Sequence, residues 1–183
     1  MACSGHRRLF KDKECGDMRL YHGSLIRVET PRIMPHELYR PLDFGSGFYA
    51  TTDFEQASRW VKIRLGRNRD VNVGYVTAYD FDESLMVSAG LSVKRFDGVS
   101  PEWLKFIAAN RLNGNVEHGY DIVTGPVAND RVYTVLNLYE GGYIDELSAI
   151  NRMKAYRLAD QFLFHTERSL SGLKYLMTVE VQR

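Results

Sequence analysis

Strand-like runs in this sequence are short and irregularly spaced, which excludes the commonest α/β architectures. The β-prone stretches cover 19–22, 47–52, 71–79, 93–96, 120–124, 161–165 and 173–181, with 85–87 as a further short candidate. Helical patterns separate only some of them. A doubly wound sheet needs regular strand–helix alternation around long apolar strands, so the sequence predicts a mixed α/β domain of another kind. Asp53 reads as an N-cap opening a helix with Phe54, Ala57, Trp60 and Val61 at helical spacing and Gly66 as its end. Ser100-Pro101-Glu102 is a second helix start: a capping hydroxyl, a proline suited to the first position and an acid that complements the dipole. Ile144, Leu147 and Ile150 mark another helix, and 166–170 a capped helical turn. The period of 132–139 fits helix or strand equally. Pro31, Pro35 and Pro41 make 28–45 a loop with one helical turn near 36–39.

Composition narrows the class. With 183 residues, 44% hydrophobic and 26% charged, the chain is long enough for one domain with a core of its own, and it is not a disordered polymer. No apolar run approaches the ~20 residues of a spanning helix, so no membrane role is expected. A net charge of +1 excludes a protein that holds nucleic acid by bulk positive charge, though not one with a local basic groove. Cys3 and Cys15 lie near the start and lack the partners of a zinc site. No metal is expected, and a reducing, cytoplasmic location is. Residues 1–17 carry His6, Arg7, Arg8, Lys11 and Lys13 without the apolar segment of a secretory signal. They read as a flexible basic N-terminal extension, and 18–183 as a single domain.

Two motif matches fail on context. Gly45-Ser-Gly-Phe-Tyr-Ala fits the dinucleotide fingerprint G-x-G-x-x-A, but a proline-rich loop precedes it and β-prone residues follow. The fingerprint must leave a strand and open a helix. Asp43-Phe44-Gly45 matches a kinase metal-binding triplet without any other kinase motif.

Three separated pieces remain. Tyr21-His22-Gly23-Ser24 ends the first strand, Phe44-Gly-Ser-Gly-Phe-Tyr49-Ala leads into the helix that carries Trp60, and Gln161-Phe-Leu-Phe begins a late strand. In this order, with 27 residues from His22 to Tyr49 and 112 from Tyr49 to Gln161, the sequence resembles the ADP-ribosyltransferase superfamily, in its poly-ADP-ribose-polymerase-like (diphtheria-toxin-like) branch. The stretches YHGS, DFGSGFYATTDFEQASRW, WLKFIAANR, YDIVTGPVAND and QFLFHTERSL further resemble an uncharacterised bacterial family of that superfold. The resemblance runs from about Met18 to the C-terminus.

It implies an α+β fold in which a central, split, mostly antiparallel pair of sheets is surrounded by helices. It also implies a substrate, NAD, cleaved between nicotinamide and ribose through an oxocarbenium-like transition state. On this resemblance His22, Tyr49 and Gln161 are the catalytic positions, and His22, Gly23, Ser24, Tyr49 and Trp60 bind NAD. His22 would bond a ribose hydroxyl, Gly23 would pair with the carboxamide, and Tyr49 and Trp60 would enclose the nicotinamide ring. Gln161 stands where polymerase-type members carry a catalytic glutamate, and Ala57 where they place a serine hydroxyl. An amide cannot act as a base, so chain-building synthesis is disfavoured and single transfer favoured. The expected function is NAD-dependent mono-ADP-ribosyl transfer to a macromolecular acceptor, protein or nucleic acid, as in toxins and defence effectors with a small neutralising (antitoxin) partner. A NAD glycohydrolase and a non-catalytic NAD or ADP-ribose binding module are the alternatives. Taken one at a time, without the motif order, His22 reads more readily as a structural histidine, Tyr49 as a core residue and Trp60 as a helix anchor. Arg64, Arg67 and Arg69 read either as a patch for a nucleic-acid strand or as a solvated helix end.

Overall fold

The computed structural model describes residues 17–33, 42–113 and 118–183. Residues 1–16 of the expected 1–17 extension, with both cysteines, and the helical turn expected near 36–39 lie outside the described residues, while Asp17 already belongs to the first strand. Among the described residues thirteen elements follow in chain order: β1 (Asp17–Ser24), β2 (Phe48–Ala50), α1 (Phe54–Arg67), β3 (Val73–Asp82), α2 (Ser84–Ser88), β4 (Val93–Arg95), α3 (Pro101–Asn113), β5 (Ile122–Pro126), α4 (Asp130–Glu140), α5 (Glu146–Lys154), β6 (Asp160–Phe164), a 3-10 helix (Glu167–Gly172) and β7 (Leu173–Gln182).

Local chemistry explains most boundaries. The Asp53 carboxylate accepts from the Glu55 and Gln56 amides at 2.9 and 3.1 Å, which satisfies two donors left over at the start of α1. Ser100 Oγ accepts from the Trp103 amide at 3.1 Å at the head of α3. Asn129 caps α4 and Asp145 caps α5 in the same way, so 132–139 is helix. Three expectations need correction. Gly66 does not end α1, which runs one residue further and is capped by the Asn68 amide. The segment 85–87 is the middle of the short helix α2, started by Asp82, whose side chain accepts from the Ser84 amide at 2.9 Å. Thr166 makes no cap for the 3-10 helix, because its hydroxyl donates to Asp121 instead.

The fold class is α+β. One sheet has the order β1-β3-β7, the other β2-β6-β5-β4. All pairs are antiparallel except β4–β5. Period-2 alternation sorts the side chains into three cores. Leu20, Tyr79 and Phe81 of the first sheet meet Phe48, Ala50, Ile122, Phe162 and Phe164 of the second, sealed by Met86 and Leu170. Ala57, Val61 and Leu65 of α1 pack on the outer face of the first sheet against Val76 and Val181. Helices α3, α4 and α5 cover the outer face of the second, where Trp103, Ile107, Leu136 and Met153 gather around Val123 and Leu163. No helix among the described residues is long and apolar enough to cross a membrane.

Among the described residues, main-chain hydrogen bonds join the two sheets at one point. Tyr21 and Thr51 form an isolated antiparallel bridge, with the Tyr21 amide donating to the Thr51 carbonyl at 2.8 Å and the Thr51 amide to the Tyr21 carbonyl at 3.0 Å. The sheets therefore open from this bridge like two pages from a spine.

Candidate functional site

The spine sets the geometry of the site. Tyr21 bonds Thr51 through both main-chain groups, so its N–H and C=O point away from β3. Alternation along an antiparallel strand gives Gly23 the same direction. The next rung would join Gly23 to Tyr49, two residues on in β1 and two back in β2. It does not form. The Tyr49 carbonyl instead accepts from His22 Nδ1 at 2.7 Å, and among the described residues no main-chain bond of Gly23 to β2 replaces it. The sheets part here because an imidazole takes the place of a rung. Gly23, itself buried, is left with a donor and an acceptor side by side that no strand of the described residues takes up.

A glycine is required at this point for packing. A Cβ on Gly23 would stand 2.6 Å from the Ala57 carbonyl oxygen and 3.0 Å from Val61 Cγ2, so α1 lies directly on the strand end. Sequence reading gives Gly23 only the task of admitting a ligand, and the structure adds this second one. Ser24, the remaining member of the motif, is buried, and its Oγ accepts from the Ile26 amide at 3.3 Å.

His22 is held as a neutral ring. Its imidazole stacks on Phe48 at 4.3 Å between centroids. Burial pushes its pKa down to about 4, against the pull of the Tyr49 carbonyl and with some help from the positive charge of Arg64. Because a carbonyl can only accept, Nδ1 carries the proton, and Nε2 presents a lone pair.

Tyr49 faces the opposite way from His22, on the side of the sheet shared with Tyr21, Gly23 and Thr51. Opposite it in β6 is Leu163, with Gln161 diagonal to it on the same face, about 7–8 Å away by strand geometry. The spine thus places Gly23, Tyr49 and Gln161 on one continuous face, flanked by α1 on one side and by α3–α5 on the other. Trp60 projects from α1 and is 43% exposed. Its neighbours Arg64 and Arg67 are exposed cations in the last turn of α1, where they also complement the helix dipole.

The glycine-rich loop before β2 serves Tyr49. Its phenol accepts from the Phe44 amide at 3.1 Å and donates to the Gly45 carbonyl at 2.6 Å. That closes the loop on itself, with Gly45 and Gly47 at φ of 99° and 149°. A Cβ on Gly47 would meet both Leu163 Cδ1 and the Phe164 carbonyl at 2.4 Å. Two histidines outside the expected site clamp the same loop. The Phe44 carbonyl accepts from His118 Nε2 at 3.0 Å, and the Ser46 carbonyl from His165 Nδ1 at 2.7 Å.

Gln161 is buried, 7% exposed, and its amide nitrogen donates to Asp43 Oδ2 at 3.1 Å. Asp43 is itself 4% exposed. Its carboxylate also accepts from the Ala128 amide at 2.9 Å and the Tyr133 hydroxyl at 3.0 Å. Burial raises its pKa, while these three donors and the charge of Arg111 hold it back. Sequence reading missed this residue. The only local signal is an isolated acid in an apolar and glycine-rich stretch. Asp160, beside Gln161 at the start of β6, is half-buried outside the core of Phe162 and Phe164, and its carboxylate accepts from the Thr51 hydroxyl and from the amide and hydroxyl of Thr52. Among the described residues no group of three or more His, Cys, Asp or Glu side chains is placed to hold a metal ion.

Comparison with known proteins gives one finding. A family described as Protein of unknown function (DUF3990) matches residues 18–175. No curated protein and no solved structure matches the chain.

Proposed function

The chain belongs to this DUF3990 family of unknown function, so its activity has to be read from the site, and we propose that it is an NAD-dependent mono-ADP-ribosyltransferase. The observation that carries this reading is the strand end at Gly23, a buried residue whose N–H and C=O face away from β3 by strand alternation and take no main-chain partner in β2 among the described residues, beside the neutral His22. A primary carboxamide has the complementary pair, an oxygen that accepts and an NH2 that donates, and it would sit there as a strand does. His22 Nε2 would accept from a ribose hydroxyl. Tyr49 and Trp60 would enclose the nicotinamide ring, with each such stack worth about 1–3 kcal/mol.

In this reaction the bond between the ribose and the nicotinamide nitrogen breaks, and its electron pair leaves with nicotinamide. A nucleophile on the acceptor, a protein or a nucleic acid, bonds the ribose carbon and loses its proton to solvent. Gln161, on the same face as Tyr49, would bind the ribose next to that carbon. The fold is consistent with the ADP-ribosyltransferase architecture: two sheets split at a spine with helices outside. A binding module that does not cleave NAD is the second reading, favoured by the burial of Gln161.

The test is incubation with NAD labelled in its adenylate half, with protein, DNA, RNA or buffer alone, and Trp60→Ala as control. Label transferred to one fraction, and reduced in the control, supports the transferase and identifies the acceptor class. Free ADP-ribose in buffer alone would make it a glycohydrolase. Binding without cleavage leaves the module, and no binding of NAD refutes the site.

A further inference from the structure

Asp43 is the most heavily bonded buried carboxyl near the proposed site. Resting on the NAD reading of that site, we propose that Asp43 is its positioning carboxylate, which locks the amide of Gln161 so that the amide oxygen is the atom offered to the nicotinamide ribose.

Three features carry this. The first is the direction of the hydrogen bonds. Asp43 Oδ2 is fixed as an acceptor by the Ala128 amide at 2.9 Å, and it is this oxygen that receives Gln161 Nε2 at 3.1 Å, while Oδ1 receives the Tyr133 hydroxyl at 3.0 Å. Turning the Gln161 amide over would set its oxygen against Asp43 Oδ2, so only one orientation is stable. The second is burial. Both residues are almost wholly withdrawn from water, where a charge-assisted bond is strong and where it polarises the amide, raising negative charge on the far oxygen. The third is the loop. Asp43 sits directly before Phe44 and Gly45, the two residues bonded by the Tyr49 hydroxyl. One clamped segment therefore fixes both the ring and the amide.

This also accounts for an amide at position 161. A glutamate there would bring two carboxylates to about the 3.1 Å that separates Gln161 Nε2 from Asp43 Oδ2, and like charges at that distance do not both ionise. The acid sits on the loop and the amide on the strand, and the amide carries the acid's influence across.

The test is an exchange of the two groups. Nicotinamide release is measured as kcat and KM for NAD, alongside the melting temperature, for wild type, Asp43→Asn, Gln161→Glu and the double variant. Asp43→Asn is expected to lower kcat about 10–100-fold, the loss typical of removing an outer partner of an acting group, with KM little changed. Gln161→Glu is expected to lower both melting temperature and kcat. The double variant, with amide and acid exchanged, should recover melting temperature and turn over faster than Gln161→Glu. If Asp43→Asn does not fold, Tyr133→Phe removes one donor from the same carboxylate and should lower kcat more mildly. An active wild type with an unimpaired Asp43→Asn, or a double variant no better than Gln161→Glu, overturns the assignment. A wild type that releases no nicotinamide overturns the cleavage reading itself, and Asp43's role with it.

Discussion

Acidification should loosen this fold at one identifiable side chain. His22 has a pKa of about 4 in the folded protein against 6.5 as a free side chain, because its ring is buried against Phe48. The unfolded chain therefore takes up the proton first. Stability from this group is complete above about pH 7, falls as pH drops through 6.5, and is lost once pH reaches the folded value near 4. The full difference is about 3 kcal/mol, of which about 2 kcal/mol has gone by about pH 5. At this chain length that corresponds to a melting temperature lower by roughly 4–8 °C. Other groups titrate in the same range, so the comparison has to be with a chain that lacks only this one. His22→Asn keeps a donor for the Tyr49 carbonyl and has no proton to gain. Thermal unfolding of both proteins from about pH 7.5 to about pH 5 should show wild type losing ground steadily to the variant. Parallel profiles would mean that the imidazole is not held neutral by burial, and the argument for a free Nε2 acceptor would fall with it.

Other perturbations test the same geometry. Gly23→Ala forces a methyl against the Ala57 carbonyl at 2.6 Å, so α1 must shift. We expect a loss of about 1–3 kcal/mol in denaturant unfolding and loss of NAD binding in calorimetry. Trp60→Ala removes a half-exposed side chain, so stability should stay within about 0.5 kcal/mol while NAD affinity falls about tenfold or more. Asp53→Ala deletes the α1 cap and should cost about 1 kcal/mol, read as a melting temperature lower by roughly 2–4 °C.

What the sequence makes legible here is what nearby residues determine. Asp53 and Ser100 announce their helices because a cap and its partners lie within three residues. The faces of β6 follow from alternation alone: Phe162 and Phe164 lie between the sheets and Leu163 on the helix side. The helix α2 is illegible for the complementary reason, since five residues are too few to display a helical period. Leu147 carries the spacing of a core residue yet is exposed, because α5 is rotated to bury Ala149, Ile150 and Met153. Asp43 is out of reach of any local pattern, its partners standing 85, 90 and 118 residues away. The same holds for the spine, where one pair of residues 30 apart joins the two sheets.

That single junction has a mechanical meaning. The two sheets share an apolar core, but main-chain bonding crosses between them at one pair of peptide groups backed by one imidazole contact, so a shift of one sheet against the other would be felt first along this edge. A planar amide seated at Gly23 would occupy the place of the next peptide group along that edge. Binding would then resist a shift of one sheet against the other. A molecule recognised there would also brace the protein, and the angle between the sheets would in turn bias its affinity.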